Sequence, residues 1–216
     1  MSITLFGTAG STCTSRVLTT LFEKQVQDFV LKNVDLAKGE QKKPEYLKLQ
    51  PFGVIPVLQD GDLTIFESRA IARYVSDKYE GQGTPLFGKT EKERALVNQW
   101  LEVESQNYNP VVSAIAYQLV FGPRRGLKPD EKVVEQQLEK FEKVLDIYEE
   151  HLAKNEYLAG NFFSLADLSH IPYTYLLLHQ AKRGEGITSR KHVKAWWDNI
   201  SSRPSWKQLL ELRAQS

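Results

Sequence analysis

Ser11 opens the run Ser11-Thr12-Cys13-Thr14-Ser15-Arg16-Val17, which joins an early strand signal to an early helix signal. A hydroxyl at such a junction has two uses. It can cap the helix by accepting a backbone N–H, or it can meet a ligand at the end of the strand. Cys13, the single cysteine, lies two residues further on. A thiol in a first helical turn has a lowered pKa and can run disulfide exchange, whereas a buried free cysteine is also an ordinary inert filler. A second concentration of chemistry runs from Phe52 through Ile55-Pro56, Asp60-Gly61 and Glu67-Ser68 to Ile71. A strand that begins at a proline leaves backbone groups unpaired, and a helix that begins at Glu-Ser offers free N–H groups. Together they could hold a small peptide that carries carboxylates. There is no Gly-x-Ser-x-Gly elbow and no His/Asp partner set, so a hydrolytic triad is not expected.

The elements that must position these residues differ between the two halves. Residues 1–80 alternate strand and helix signals, with a strand over Ile3 to Phe6 and a helix over Arg16 to Lys24 that places Val17, Leu18, Leu21 and Phe22 on one face. Asp28 to Val34 reads as a weaker strand, and residues 35–50 as an exposed loop or irregular helix. Val57-Leu58-Gln59 and Leu63-Thr64-Ile65-Phe66 form a hairpin around Asp60-Gly61, because Asp-Gly suits tight hairpin turns. Ser68 to Tyr79 is then a helix with Ala70, Ile71, Tyr74 and Val75 inward. This order, βαβ followed by ββα, predicts an α/β layer with a mixed sheet. Residues 81–89 read as a linker. Residues 90–216 read as an all-α domain, with helices over about 92–120 and 134–152, one starting at Ser164-Leu165-Ala166-Asp167, and a last one at Pro204.

The composition excludes several function classes. A net charge of +1 argues against nucleic acid as a main partner, and no apolar run approaches membrane-spanning length. The start of the chain carries neither a secretory nor a transit pattern, so a cytoplasmic address is expected. One cysteine excludes an internal disulfide framework, and the spacing of His151, His170, His179 and His192 argues against a metal site.

Taken together, Ser11, Ile55-Pro56 and Glu67-Ser68 resemble the glutathione-binding domain of cytosolic glutathione transferases. The run Lys38 to Gly53, with Phe66-Glu67-Ser68-Arg69-Ala70-Ile71, is similar to the phi class of plants, and the likeness continues through Ser164-Leu165-Ala166-Asp167-Leu168 and Ser202-Arg203-Pro204-Ser205-Trp206. The resemblance implies a thioredoxin-like N-terminal domain, an all-helical C-terminal domain and a homodimer. It implies conjugation of glutathione to electrophilic small molecules, in detoxification and stress response, with reduction of organic hydroperoxides as a second activity. Glutathione is then a co-substrate, and no cofactor is permanently bound. Ser11 would stabilise the thiolate, and a cis Ile55-Pro56 bond would present Ile55 to the cysteinyl part. Glu67 would take the γ-glutamyl amine, Ser68 the γ-glutamyl carboxylate, and Lys42, with Gln41, the glycine carboxylate.

The second substrate would lie between the two domains on Leu36, Ile115, Ala116, Leu119 and Leu178, with Tyr117 and Tyr175 beside them. Each of these is equally a core residue by type. Phe52 matches the aromatic that some transferases insert into the partner subunit, or else packs on its own turn. Two other readings stay open: a non-catalytic binder of apolar small molecules, and a thiol transferase that uses Cys13. Gln41 stands where the phi class commonly has His, and Val54 where it commonly has Gln. If both contacts matter, glutathione binding is weakened by up to about 1–2 kcal/mol. Val54→Gln should therefore lower the glutathione KM, and an unchanged or raised KM would contradict this.

Overall fold

The computed structural model describes residues 3–215; Met1, Ser2 and Ser216, included in the reading of the two ends, lie outside the described residues. Two compact units emerge. One comprises the chain up to Pro85 together with the segment from Pro204, and the other Leu86–Arg203.

In the first unit β1 (Ile3–Gly7) is followed by α1 (Thr12–Glu23) and β2 (Phe29–Asn33). A 3-10 turn over Glu40–Lys42 and the short α2 (Pro44–Leu47) come next. Then follow β3 (Val57–Asp60), β4 (Leu63–Phe66) and α3 (Ser68–Lys78). The sheet order is β2-β1-β3-β4, with β1 parallel to β2 and the other pairs antiparallel. This is the mixed sheet that the strand and helix signals predict. The hairpin register pairs Asp60 with Leu63, so the two-residue loop is Gly61-Asp62, with Gly61 at φ 62°. α1 begins four residues before the expected Arg16, because Ser11 caps it. Phe22, Ala70 and Tyr74 are less buried than their expected inward places, whereas Val17, Leu18, Leu21, Ile71 and Val75 are fully enclosed. Tyr74 and Lys78 bond instead to the Asp60 carboxylate and fasten α3 to the end of β3. Those bonds, the one from Lys78 above all, hold the Asp60 carboxyl below the usual carboxylate range.

The polar stretch before Pro85 is not a free tether. Thr84 donates its N–H to the Glu23 carbonyl at 2.9 Å, and its carbonyl accepts from the buried Lys24 Nζ at 3.0 Å.

The second unit is helical: α4 (Glu91–Val103), α5 (Asn109–Ala116), α6 (Glu131–Leu152), α7 (Leu165–Leu176), α8 (Glu185–Thr188) and α9 (Lys191–Ser201). The long helical region expected over about 92–120 is present and contains wide π turns at Glu104–Tyr108 and Tyr117–Phe121. The first lies where Pro110 lacks the N–H that would bond to the Gln106 carbonyl. On α6, Val134, Phe141, Leu145, Tyr148 and Leu152 form the buried stripe, while Leu138 at its edge is only partly covered. The core is aromatic, with Tyr148 edge-on to both Trp100 at 5.3 Å and His170 at 5.5 Å.

The last helix, α10 (Pro204–Gln215), does not extend the helical unit as the 90–216 boundary expects. It packs along α1. Ser205 Oγ donates to Glu23 Oε1 at the end of α1, and Arg213 reaches Ala9 and Ser15 at its start, so the two helices run antiparallel. Among the described residues no helix is long and apolar enough to cross a membrane, and no cluster of metal-ligating side chains forms.

The most concentrated polar contact is at the start of α7. The fully buried Asp167 accepts from the N–H groups of Leu158 (2.9 Å) and Ser164 (3.0 Å), from Ser164 Oγ (2.8 Å) and from Trp196 Nε1 (2.9 Å). Burial pushes its pKa up, against the pull of these four donors. One carboxylate thus joins the 158 turn, the α7 cap and α9. Asp167→Asn should cost about 2–3 kcal/mol, because buried donors lose their acceptor. Urea unfolding checks this, with the exposed Glu139→Gln, expected to stay within about 0.5 kcal/mol of the parent, as control.

Candidate active site

Strand register determines which motifs meet. Phe6 pairs with Val57 and Val57 with Phe66, so three strand ends share one row at one edge of the sheet. Immediately beyond that row lie the Thr8–Ser11 turn after β1, Ile55-Pro56 before β3, and Glu67-Ser68 after β4. Gly7 pairs with Asn33, which brings Leu36, 41% exposed, to the same edge.

Ser11 is the N-cap of α1, and its Oγ accepts the Thr14 N–H at 3.3 Å. Both readings of this residue therefore coexist. The oxygen serves the helix, and the hydroxyl hydrogen has no acceptor among the described residues. Around it lie the first-turn N–H groups and the positive end of the α1 dipole. Cys13 is a free thiol of intermediate exposure, two residues further along in the first turn of α1.

The Ile55-Pro56 bond is cis. The side chain of Ile55 packs with Val34, Tyr46 and Val57. Its backbone N–H and C=O lie outside the ladder and have no partner among the described residues. They form a short unpaired edge, able to take one extended residue of a ligand. Tyr46 supports this edge by donating its hydroxyl to the Val54 carbonyl at 2.9 Å. Burial pushes the Tyr46 phenol up to about 12, so it remains a donor at neutral pH. The Val54 side chain is 47% exposed and offers no polar atom.

Glu67 adopts φ 69° and ψ 109°, a conformation that costs a non-glycine residue about 1–3 kcal/mol. It is exposed, and its carbonyl accepts the Ile71 N–H at 2.9 Å. Ser68 is enclosed, and its Oγ accepts from Arg16 Nη1 at 2.7 Å. The Ser68 and Ala70 N–H groups at the start of α3 have no partner among the described residues, which suits an anion. Arg16 is fully buried beneath this helix start. Sequence reasoning missed its role, although an arginine on the apolar face of α1 was a visible signal.

Lys42 Nζ donates to the Phe52 carbonyl at 3.0 Å. Gly53, at φ 61°, lies under the same ammonium, and a Cβ there would come within 2.9 Å of Nζ. Only glycine lets the two loops approach so closely, a requirement the motif reading did not single out. The Gln41 side-chain oxygen is buried without a donor among the described residues. Phe52 is 69% exposed and edge-on to Phe66 at 6.2 Å.

The apolar candidates of the second unit divide. Ile115 and Ala116 are fully buried, because positions 111, 112, 115 and 116 form the inward stripe of α5, so they offer a ligand no surface. Leu119 and Leu178 are partly covered, Tyr117 is exposed, and Tyr175 stacks on His179 at 4.2 Å.

Comparison with known proteins places the whole chain in one family. The family model for the glutathione S-transferase N-terminal domain matches residues 1–77, and that for the C-terminal domain residues 108–204. Glutathione S-transferase F10 of Arabidopsis thaliana is 55% identical over 194 residues, 90% of each chain. The crystal structure of glutathione transferase F2 from Populus trichocarpa superposes with a TM-score of 0.96 at 46% identity, covering 99% of this chain and 100% of that one. Maize glutathione S-transferase I, solved in complex with an atrazine glutathione conjugate, gives a TM-score of 0.90 at 38% identity, with both chains fully covered. With a relative this similar over nine-tenths of its length, and both domain models matched, the chain belongs to the phi class of the glutathione S-transferase family.

Proposed function

We propose that the chain binds glutathione along the Ile55 edge and transfers its thiolate to electrophilic carbon, with Ser11 as the group that stabilises the thiolate. The observation that carries this reading is the unused Ser11 hydroxyl hydrogen at the start of α1, beyond the same strand row as the unpaired Ile55 backbone. A free thiol has a pKa of about 8.5, so little is ionised at neutral pH. A charge-assisted hydrogen bond contributes about 1.5–3 kcal/mol, equivalent to one to two pKa units. The thiol proton leaves to solvent, the sulfur bonds to the electrophile, and the leaving group departs with its electron pair. With a hydroperoxide, the thiolate attacks the peroxide oxygen and releases the alcohol, and a second glutathione completes the disulfide and water.

The remaining tripeptide has a complementary group for each end. Ile55 takes the cysteinyl backbone as an added strand, with Pro56 fixing the start of β3. Ser68 and the α3 N-terminus take the γ-glutamyl carboxylate, and Glu67 the amine. Lys42 faces the glycine carboxylate, with Gln41 beside it. Leu36 offers apolar surface for the electrophile at the same edge. In the second unit, taken by itself, Leu119 and Leu178 are only partly covered and suit an apolar ligand, whereas buried Ile115 and Ala116 do not. Maize glutathione S-transferase I in complex with an atrazine glutathione conjugate supports an electrophile of the atrazine kind as a substrate type. Phe52 is the aromatic offered to a second copy in a homodimer, and the single free cysteine suits a reducing cytoplasm.

Conjugation of a chloronitrobenzene and reduction of a mixed disulfide should be assayed in the parent, Ser11→Ala and Cys13→Ser. Conjugation at neutral pH should fall sharply only in Ser11→Ala, whose residual activity should show the apparent thiol pKa raised by about one to two units. Disulfide reduction lost only in Cys13→Ser would favour a thiol transferase, and inactivity throughout would favour a binder. A separate test concerns the backbone. Glu67→Gly should raise the melting temperature, because glycine tolerates φ 69°, while raising the glutathione KM. A variant with both quantities unchanged would refute the ligand role of Glu67.

A further inference from the structure

A cation in the last turn of a terminal helix ordinarily points into solvent and answers the helix dipole. Arg213 does not. It is only partly exposed and turns toward the other end of α1 from the one that Ser205 touches. Its Nε donates to the Ala9 carbonyl at 2.8 Å and its Nη2 to Ser15 Oγ at 2.6 Å. These two nitrogens belong to one planar fork, so the separation of the two acceptors is held fixed.

Ser15 carries the contact onward. Its Oγ lies 2.6 Å from the Ser11 carbonyl and 2.9 Å from that of Ala9. The hydroxyl has one hydrogen. Since Arg213 already serves the Ala9 carbonyl and also occupies a lone pair of Oγ, that hydrogen is free for the closer Ser11 carbonyl. A hydroxyl polarised by a guanidinium is a stronger donor, which tightens the next bond in the chain. The Ser11 carbonyl also accepts the Ser15 N–H at 2.9 Å, and the Ser11 N–H donates to Thr8 at 3.0 Å. The backbone is thus fixed on both sides of Ser11, while the cap bond from its own side chain is long, at 3.3 Å. The guanidinium is braced in turn. It lies 5.2 Å from the ring of buried Trp206, and α10 is fastened at its start by Ser205 to Glu23.

We propose that Arg213 is a positioning residue for Ser11, which it orients from the last helix through the Ala9 carbonyl and the Ser15 hydroxyl. The proposal rests on the reading of Ser11 as the group that stabilises the thiolate. A misplaced hydroxyl would still cap the helix but would donate poorly to sulfur, so the loss falls on kcat and on thiol ionisation rather than on glutathione binding.

The test uses the full-length protein with glutathione and a chloronitrobenzene. Arg213→Gln should lower kcat at neutral pH by about three- to tenfold and raise the apparent thiol pKa by about half to one unit, with the glutathione KM within about twofold of the parent. Arg213→Lys, which keeps one charged donor, should fall between. In a Ser11→Ala background, Arg213→Gln should have no further effect on the pH profile. Ser15→Ala removes the relay while leaving the arginine packed on Trp206, and should reproduce the shift even if Arg213→Gln folds poorly. An unchanged profile in Ser15→Ala, or an equal further loss in the Ser11→Ala background, would overturn the proposal. If Ser11→Ala alone leaves the profile intact, the underlying reading of Ser11 fails and the proposal falls with it, an outcome distinct from the other two.

Discussion

The row Phe6–Val57–Phe66 is the constraint on which the rest of this structure depends. A β ladder permits no continuous adjustment: a slip of one residue would send every side chain to the opposite face. Because that row is fixed, three turns distant in the chain open at one edge, and each contributes what its own local structure leaves over. α1 leaves a hydroxyl hydrogen, the segment before β3 leaves an N–H and a carbonyl, and the start of α3 leaves unpaired N–H groups. None of these is costly alone, since each faces outward or serves a cap. Collected in one place they form a surface of unpaired polar groups that is mostly backbone. Such a surface is pre-organised by the fold rather than by side-chain rotamers.

The supports beneath this surface are long-range and polar. Arg16 holds the Ser68 hydroxyl from within α1, Tyr46 holds the Val54 carbonyl, and Asp60 ties α3 to the end of β3. Each fixes a backbone segment by its carbonyl or by a short side chain near it. The exposed groups can therefore stay unpaired without the loops collapsing onto them. The strained Glu67 is the clearest case, as its conformation persists only because β4 on one side and α3 on the other leave it no alternative.

Much of the first unit was legible in the sequence, because its signals are local. Hydrophobic alternation located the strands, Asp-Gly the hairpin, and Ser11 and Ser164 the caps. What could not be read were contacts between residues far apart in the chain. Arg213 looks like any C-terminal cation until α10 is seen to lie along α1, and nothing in its neighbours signals Ala9 or Ser15. Ile115 and Ala116 show the opposite difficulty. Their residue types suit an apolar cleft and a helix core equally, and the α5 stripe alone decides for the core. The wide turns at 104–108 and 117–121 were hidden for a further reason: a π turn retains helical periodicity on either side and only shifts its phase. Gly53 closes the Lys38 to Gly53 run in the sequence, whereas its use lies in the ammonium of Lys42 above it.

The first unit is discontinuous in the chain, since α10 is separated from the preceding β4–α3 segment by all of Leu86–Arg203. On a ribosome, strands and helices up to Pro85 emerge first but lack the helix that covers α1. Phe22, Phe29 and Leu31, which line a groove with Gln208 and Leu212, stay without that neighbour until α10 has been made. The nascent first unit must therefore wait, partly uncovered, for the translation of all of Leu86–Arg203. The turn that carries Ser11, whose neighbours Ala9 and Ser15 are bonded to Arg213, is thus completed only after the helical unit has been made.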